Sequence, residues 1–206
     1  LLDLGKIPAV LGGDHSVPFG AIEACAARHP GLGILHVDAH ADLRDAYEGF
    51  RWSHASIMHN VLQRCPGVAR LVQVGIRDFG EAEFETSRAA KERVTTHFDA
   101  VWQERRFDGE PFSRLVDDAL AALPAVVYVS FDIDGLDPSL CPQTGTPVPG
   151  GLSFAEATHL LHRLARSGRR IVGFDLVEVA PGGGEWDANV GARLLYKLCG
   201  AAALTR

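Results

Sequence analysis

The chain is poor in cysteine. Only Cys25, Cys65, Cys141 and Cys199 occur among 206 residues, and no two form a Cys-x-x-Cys pair. That spacing offers neither a redox pair nor a disulfide framework. Reduced, mostly buried thiols in a cytoplasmic protein are expected. No apolar run is long enough to span a bilayer, and no basic-apolar leader is visible, so neither a membrane span nor secretion is expected. A basic balance is also missing: 20 Lys and Arg face 26 Asp and Glu, for a net charge of −6. This argues against nucleic acid or an anionic membrane as partner and suits a small cationic ligand. Repeats, low-complexity tracts and linkers are absent too. At 47% apolar and 22% charged, 206 residues suit one globular domain spanning 1–206. The opening "LLDLGK" reads as the last turn of a helix with Gly5 near its C-cap. The N-terminal part of a larger domain is therefore expected to be missing.

What is present is an alternation of short β-rich runs and helical patterns. Strands are expected at Ile7–Leu11, Gly33–Val37, Ala69–Val74, Val94–Phe98, Ala125–Phe131 and Arg170–Phe174. Helices are expected at Val17–Arg28, His54–Gln63, Gly80–Arg93, Pro111–Ala122, Phe154–Ser167 and Asp187–Leu204. Most strands are apolar throughout, as strands covered on both faces are. The expected fold class is α/β: a three-layer α/β/α sandwich around a mainly parallel sheet. Two loops, 44–53 and 137–153, are long enough to suggest function.

Ligands of open α/β sheets sit outside the carboxyl ends of the strands. Three expected strands end there in "LGGDHS", "HVDAHAD" and "SFDIDGLDP". Residues i and i+2 share a strand face, so Asp38, His40 and Asp42 converge if the extended geometry persists. Asp132 and Asp134 form a second such pair, and His15 follows two glycines at the end of the first strand. Any one motif alone reads as a turn or a cap. Together they assemble four carboxylates and two imidazoles, which could not all carry their charges without a counter-ion. Two divalent cations supply that charge. Oxygen plus imidazole ligands favour Mn²⁺, with Zn²⁺, Fe²⁺ or Co²⁺ as competitors. A metal pair lowers the pKa of shared water and creates a nucleophile near neutral pH. His36 shares strand parity with Asp38 but sits one step deeper, as a supporting or core imidazole rather than a ligand. His29, His97, His159 and His162 are expected to face solvent, and His59 to be structural.

These motifs resemble, in the same order, the three metal-binding signatures of the ureohydrolase family of arginases and agmatinases. "TGTPVPGGLS" and "FDLVEVAP" resemble further family segments. The resemblance implies an eight-stranded, mostly parallel sheet, assembly as a trimer or hexamer, and two Mn²⁺ per subunit. It implies one ion on His15, Asp38, Asp42 and Asp132, and the other on Asp38, His40, Asp132 and Asp134. The implied reaction converts a guanidino compound to urea and an amine. Glu178 is similar to the family residue that holds the guanidinium, with Asp175 second, and His54 to the histidine that shuttles protons. The chain departs from the family pattern at His54-Ala55, where glycine usually follows the histidine, and at Gln143. Loop 44–53 mixes Arg44, Asp45, Glu48 and Arg51, which suit either a carboxylate or an ammonium tail. "EWDANVGARLLYKL" is similar to bacterial agmatinases, so agmatine is the expected substrate, with arginine or a guanidino acid next. A zinc-dependent deacylase would carry paired histidines, which this sequence lacks; a non-catalytic relative would not need the intact ligand set.

Overall fold

The computed structural model describes residues 1–180 and 182–206. Six strands form one sheet: β1 (Ala9–Leu11), β2 (Leu32–Val37), β3 (Val68–Ile76), β4 (Val94–Phe98), β5 (Val126–Asp132) and β6 (Arg170–Val177). The helices are α1 (Phe19–Arg28), α2 (Ile57–Arg64), α3 (Glu81–Ala89), α4 (Asp99–Phe107), α5 (Phe112–Ala121), α6 (Phe154–Arg166) and α7 (Trp186–Leu204). The strand order is β1-β6-β5-β2-β3-β4, and every pairing between these strands is parallel. Six strands are present among the described residues, against the eight that the family resemblance implies.

The three layers follow from the apolar patterning. The six residues of β2 are all buried, because helices cover both faces of the sheet. On one face Ile22 and Cys25 of α1 and Ile57, Met58 and Val61 of α2 pack on Ile34, Leu71 and Tyr128. On the other, Trp102 of α4, Leu115 and Val116 of α5, Leu160 of α6 and Leu194 of α7 pack on Leu35, Val72 and Val129. Each fully buried Leu, Ile or Val here contributes about 1.5–3 kcal/mol. The sequence pattern misses α4. Its nine residues bury only Asp99 and Trp102, so they carry no apolar period to read. His97 also differs from expectation: it lies on β4 with its Nε2 buried and unpartnered. No helix among the described residues is long and apolar enough to cross a membrane.

The chain runs outward in opposite directions from β2 and from β5, which are neighbours. That reversal opens a crevice at their carboxyl ends. Two glycines keep backbone close around it. Gly75 has φ +92, and a Cβ there would stand 3.0 Å from the Asp38 carbonyl oxygen; a Cβ on Gly135 would stand 2.8 Å from the Asp38 nitrogen.

Candidate metal centre

His15, Asp38, Asp132 and Glu178 follow or end β1, β2, β5 and β6, and their side chains meet above that crevice. His15 Nδ1 lies 3.0 Å from Asp38 Oδ2, 3.1 Å from Asp42 Oδ2 and 3.3 Å from Asp132 Oδ2. His40 Nδ1 lies 3.0 Å from Asp134 Oδ2 and 3.4 Å from Asp38 Oδ1. All of these groups are buried except His40, which is partly exposed. Strand alternation is not what gathers them. Strand β2 ends at Val37, and Asp42 has φ +55, in the left-handed region that Asp tolerates better than most residues. Backbone N–H groups orient the carboxylates instead: His40 N donates to Asp38 Oδ1 (2.6 Å), Ala39 N to Asp134 Oδ1 (3.0 Å) and Asp134 N to Asp132 Oδ1 (2.9 Å).

Two overlapping sets of donor atoms lie within 4.8 Å of one another: His15, His36, Asp38 and Asp42, and Asp38, His40 and Asp134. Asp38 belongs to both. Burial and the charge of Asp38 push the Asp42 carboxyl up to about 7. Burial and neighbouring carboxylates push Asp132 well above its ordinary range and raise Asp134. Burial opposes the charged form of Asp38 as well, but the surrounding His36, His15 and His40 hold it well below the usual carboxylate range. For His40, burial is outweighed by Asp134 and Asp38, which raise the ring to about 11. Four carboxylates thus face at most two imidazolium charges, and the centre is short of positive charge.

His15 shows where a cation fits. Ser130 Oγ donates to Asp175 Oδ1 (3.1 Å), so it accepts from His15 Nε2–H (2.9 Å). Nδ1 then faces three carboxylate oxygens, which outweigh the cost of burial and raise the ring well above its ordinary value, so without a metal Nδ1 carries a proton. A divalent cation bound among these groups would take that proton's place. The donor set of four carboxylates and two imidazoles fits such ions.

Glu178 follows β6 with φ +61. Its Oε1 accepts from His15 N (2.9 Å), and its carboxyl is raised, chiefly by burial. Of the three described non-glycine residues at positive φ, Asp42 and Glu178 belong to this centre, as strained backbone at a working site would. The last residue of "FDLVEVAP", Pro181, lies outside the described residues. Asp175 does not reach the cleft as a guanidinium partner: it is fully buried and accepts from Phe131 N (3.0 Å) as well as Ser130. His54 opens a short 3₁₀ turn with 40% of its side chain exposed, 3.9 Å from Asp14 Oδ2 and with its ring 5.4 Å from that of Tyr47.

A cavity of about 130 Å³ beside His40 and Asp42 is lined by His54, Tyr47, Arg44, Asp78 and Glu83. Sequence reasoning passed over Glu83, a buried acid on α3 with no motif around it. It accepts from Leu43 N (3.0 Å) and Gly80 N (2.8 Å) and lies 3.3 Å from Arg44 Nε. Asp45 similarly lies 3.4 Å from His59 Nε2.

A sequence model described as "Arginase family" matches residues 1–200. An N(1)-aminopropylagmatine ureohydrolase of Thermus thermophilus is 39% identical over 98% of this chain and 65% of its own length. An agmatinase of Bacillus anthracis is 38% identical over 88% of this chain and 58% of its own. The crystal structure of an agmatine ureohydrolase of Thermoplasma volcanium superposes with a TM-score of 0.83 at 30% identity, covering 98% of this chain and 64% of that one. The chain therefore spans less than two thirds of the length of each.

Proposed function

We propose that this chain, which belongs to the arginase family, carries the chemistry that hydrolyses a guanidino compound to urea and an amine, with agmatine preferred. One proposed cation is held by His15, Asp38, Asp42 and Asp132, the other by Asp38, His40, Asp132 and Asp134. Mn²⁺ suits this set of oxygen and imidazole donors. When bound, such a pair supplies Lewis acidity and acidifies a shared water toward neutral pH.

The protein's own groups do the rest. Glu178 offers its carboxylate to the planar guanidinium through charge-assisted hydrogen bonds. Its Oε1 is already anchored by the His15 amide, which orients the group before substrate arrives. His54 reaches both solvent and the cleft, so it can deliver the proton that the departing amine requires.

The observation carrying the choice of tail is the state of Arg44. Its Nε lies 3.3 Å from the carboxylate of Glu83 and its guanidinium lies over the Tyr47 ring, 5.4 Å from the centroid, so its charge is already offset where a substrate carboxylate would meet it. Asp78, with 63% of its side chain exposed, presents negative charge to the same cleft. A cationic tail is favoured over a carboxylate one. Urea release from agmatine, arginine and 4-guanidinobutyrate, with and without Mn²⁺, tests this. Agmatine should lead in kcat/KM by about tenfold or more, the effect of about 1.4 kcal/mol. Preference for a carboxylate tail would refute the specificity reading; no urea from any guanidine would refute the hydrolase reading.

A further inference from the structure

One level below the candidate centre, a row of polar residues crosses the apolar sheet. Thr96, Gln73, His36, Ser130 and Asp175 stand in register on β4, β3, β2, β5 and β6. Two residues earlier on four of these strands stand Val94, Leu71, Ile34 and Tyr128, all buried hydrophobics. His36, Gln73, Ser130 and Asp175 are fully buried, and such burial is tolerated only if hydrogen bonds are made.

The bonds of Gln73 determine one another. Its Nε2 lies 2.7 Å from the carbonyl oxygen of Ala41, which can only accept, so the orientation of the amide is set. The second amide hydrogen then points at His36 Nδ1, 3.0 Å away. Gln73 Oε1 accepts from Thr96 Oγ1 (2.9 Å), which in turn accepts from Ser87 Oγ (3.0 Å). Facing an N–H donor, His36 Nδ1 must be the acceptor nitrogen. The ring proton resides on Nε2, which donates to Asp38 Oδ2 at 2.8 Å. For His36 Nε2 to ligate a cation, as its position in the first donor set would allow, the proton would have to move to Nδ1, against the amide N–H. His15 has the opposite arrangement: Ser130 engages its Nε2–H and Nδ1 faces the carboxylates of the centre.

We propose that Gln73 is a positioning residue for the metal centre, holding His36 as the Nε2–H tautomer so that His36 steadies Asp38 as a hydrogen-bond donor and is not itself a ligand. This rests on the two-cation reading of the site. Hydrogen bonds to metal-binding carboxylates and histidines of this kind typically govern metal affinity by about 10–100-fold.

The test has two arms. In the metal-free native protein, ¹⁵N spectra of the imidazoles should show His36 protonated at Nε2; a proton at Nδ1 overturns the proposal without any variant. In the second arm, Mn²⁺ is titrated into the native protein, Gln73→Leu and Gln73→Glu, with circular dichroism reporting the fold. Gln73→Leu removes the lock, while Gln73→Glu places an acceptor opposite Nδ1 and should transfer the proton there. Both should weaken Mn²⁺ binding by about 10–100-fold, Gln73→Glu the more. A purely structural role would lower the melting temperature and leave the Mn²⁺ affinity of the folded protein unchanged, and that result refutes the assignment. Native protein that takes up no Mn²⁺ would refute the two-cation reading instead.

Discussion

Replacing Asp38 by alanine should abolish both cation sites, whereas Asp42→Ala should abolish one. Asp38 is the residue common to the two donor sets, with Oδ2 3.0 Å from His15 Nδ1 and Oδ1 3.4 Å from His40 Nδ1. A ligand at a hundredfold excess over its Kd stabilises the folded state by about 2.7 kcal/mol, so two such sites contribute about 5 kcal/mol. For a chain of 206 residues, about 2–4 °C per kcal/mol puts the expected rise in Tm on saturation with Mn²⁺ at about 10–20 °C. Asp42→Ala should keep about half of that rise and Asp38→Ala none of it. Without metal the sign reverses. An unfolded aspartate ionises near 3.8, but folded Asp42 is pushed up to about 7, so the metal-free protein loses stability as pH rises through that interval. Part of the shift comes from the charge of Asp38, so Asp38→Ala should flatten that pH dependence in the metal-free protein. Thermal melting across a Mn²⁺ titration, with elemental analysis of dialysed protein, reads all three effects. Two ions bound to Asp38→Ala, or the full rise in its melting temperature, would refute the assignment of a shared carboxylate.

Glu178→Gln should lower kcat/KM for a guanidino substrate by about 10–100-fold, corresponding to charge-assisted hydrogen bonds of about 1.5–3 kcal/mol, while Mn²⁺ content is unchanged. Equal kcat/KM in steady-state urea assays would place the guanidinium elsewhere. His54→Ala should reduce kcat by about 10²–10⁴ with both ions retained. An unaltered kcat would remove its role in proton transfer. His97 tests the core independently of the site: burial pushes its imidazole from 6.5 down to about 4. The unfolded chain therefore takes up the proton first, and stability falls as pH drops from about 6.5 toward 4. The contribution of His97 alone should be a loss of about 2 kcal/mol between pH 7 and pH 5. Urea unfolding of native protein and His97→Gln at both pH values measures this, and identical pH slopes would contradict it.

The sequence by itself determined the layered class and the sheet. Continuous apolar runs such as Val126–Val129 and Ile171–Phe174 leave no polar face for water, so helices had to cover both sides. It also determined the chemistry of the centre, because carboxylates and imidazoles at strand ends require a counter-charge wherever they meet. Local pattern reaches no further than this. Helix α4 carries no apolar period, and its place depends on the packing of Trp102. Asp38, His40 and Asp42 meet through a left-handed residue and backbone hydrogen bonds rather than strand alternation, and a two-residue spacing cannot signal that. Glu83 pairs with Arg44 from 39 positions away, a partner that the charges of loop 44–53 alone do not reveal. The side chains that bond His15 and His36 from below the centre, Ser130 and Gln73, stand on neighbouring strands. Hydrogen bonds across a parallel sheet join residues tens of positions apart, and only the register of the strands specifies which donor meets which nitrogen.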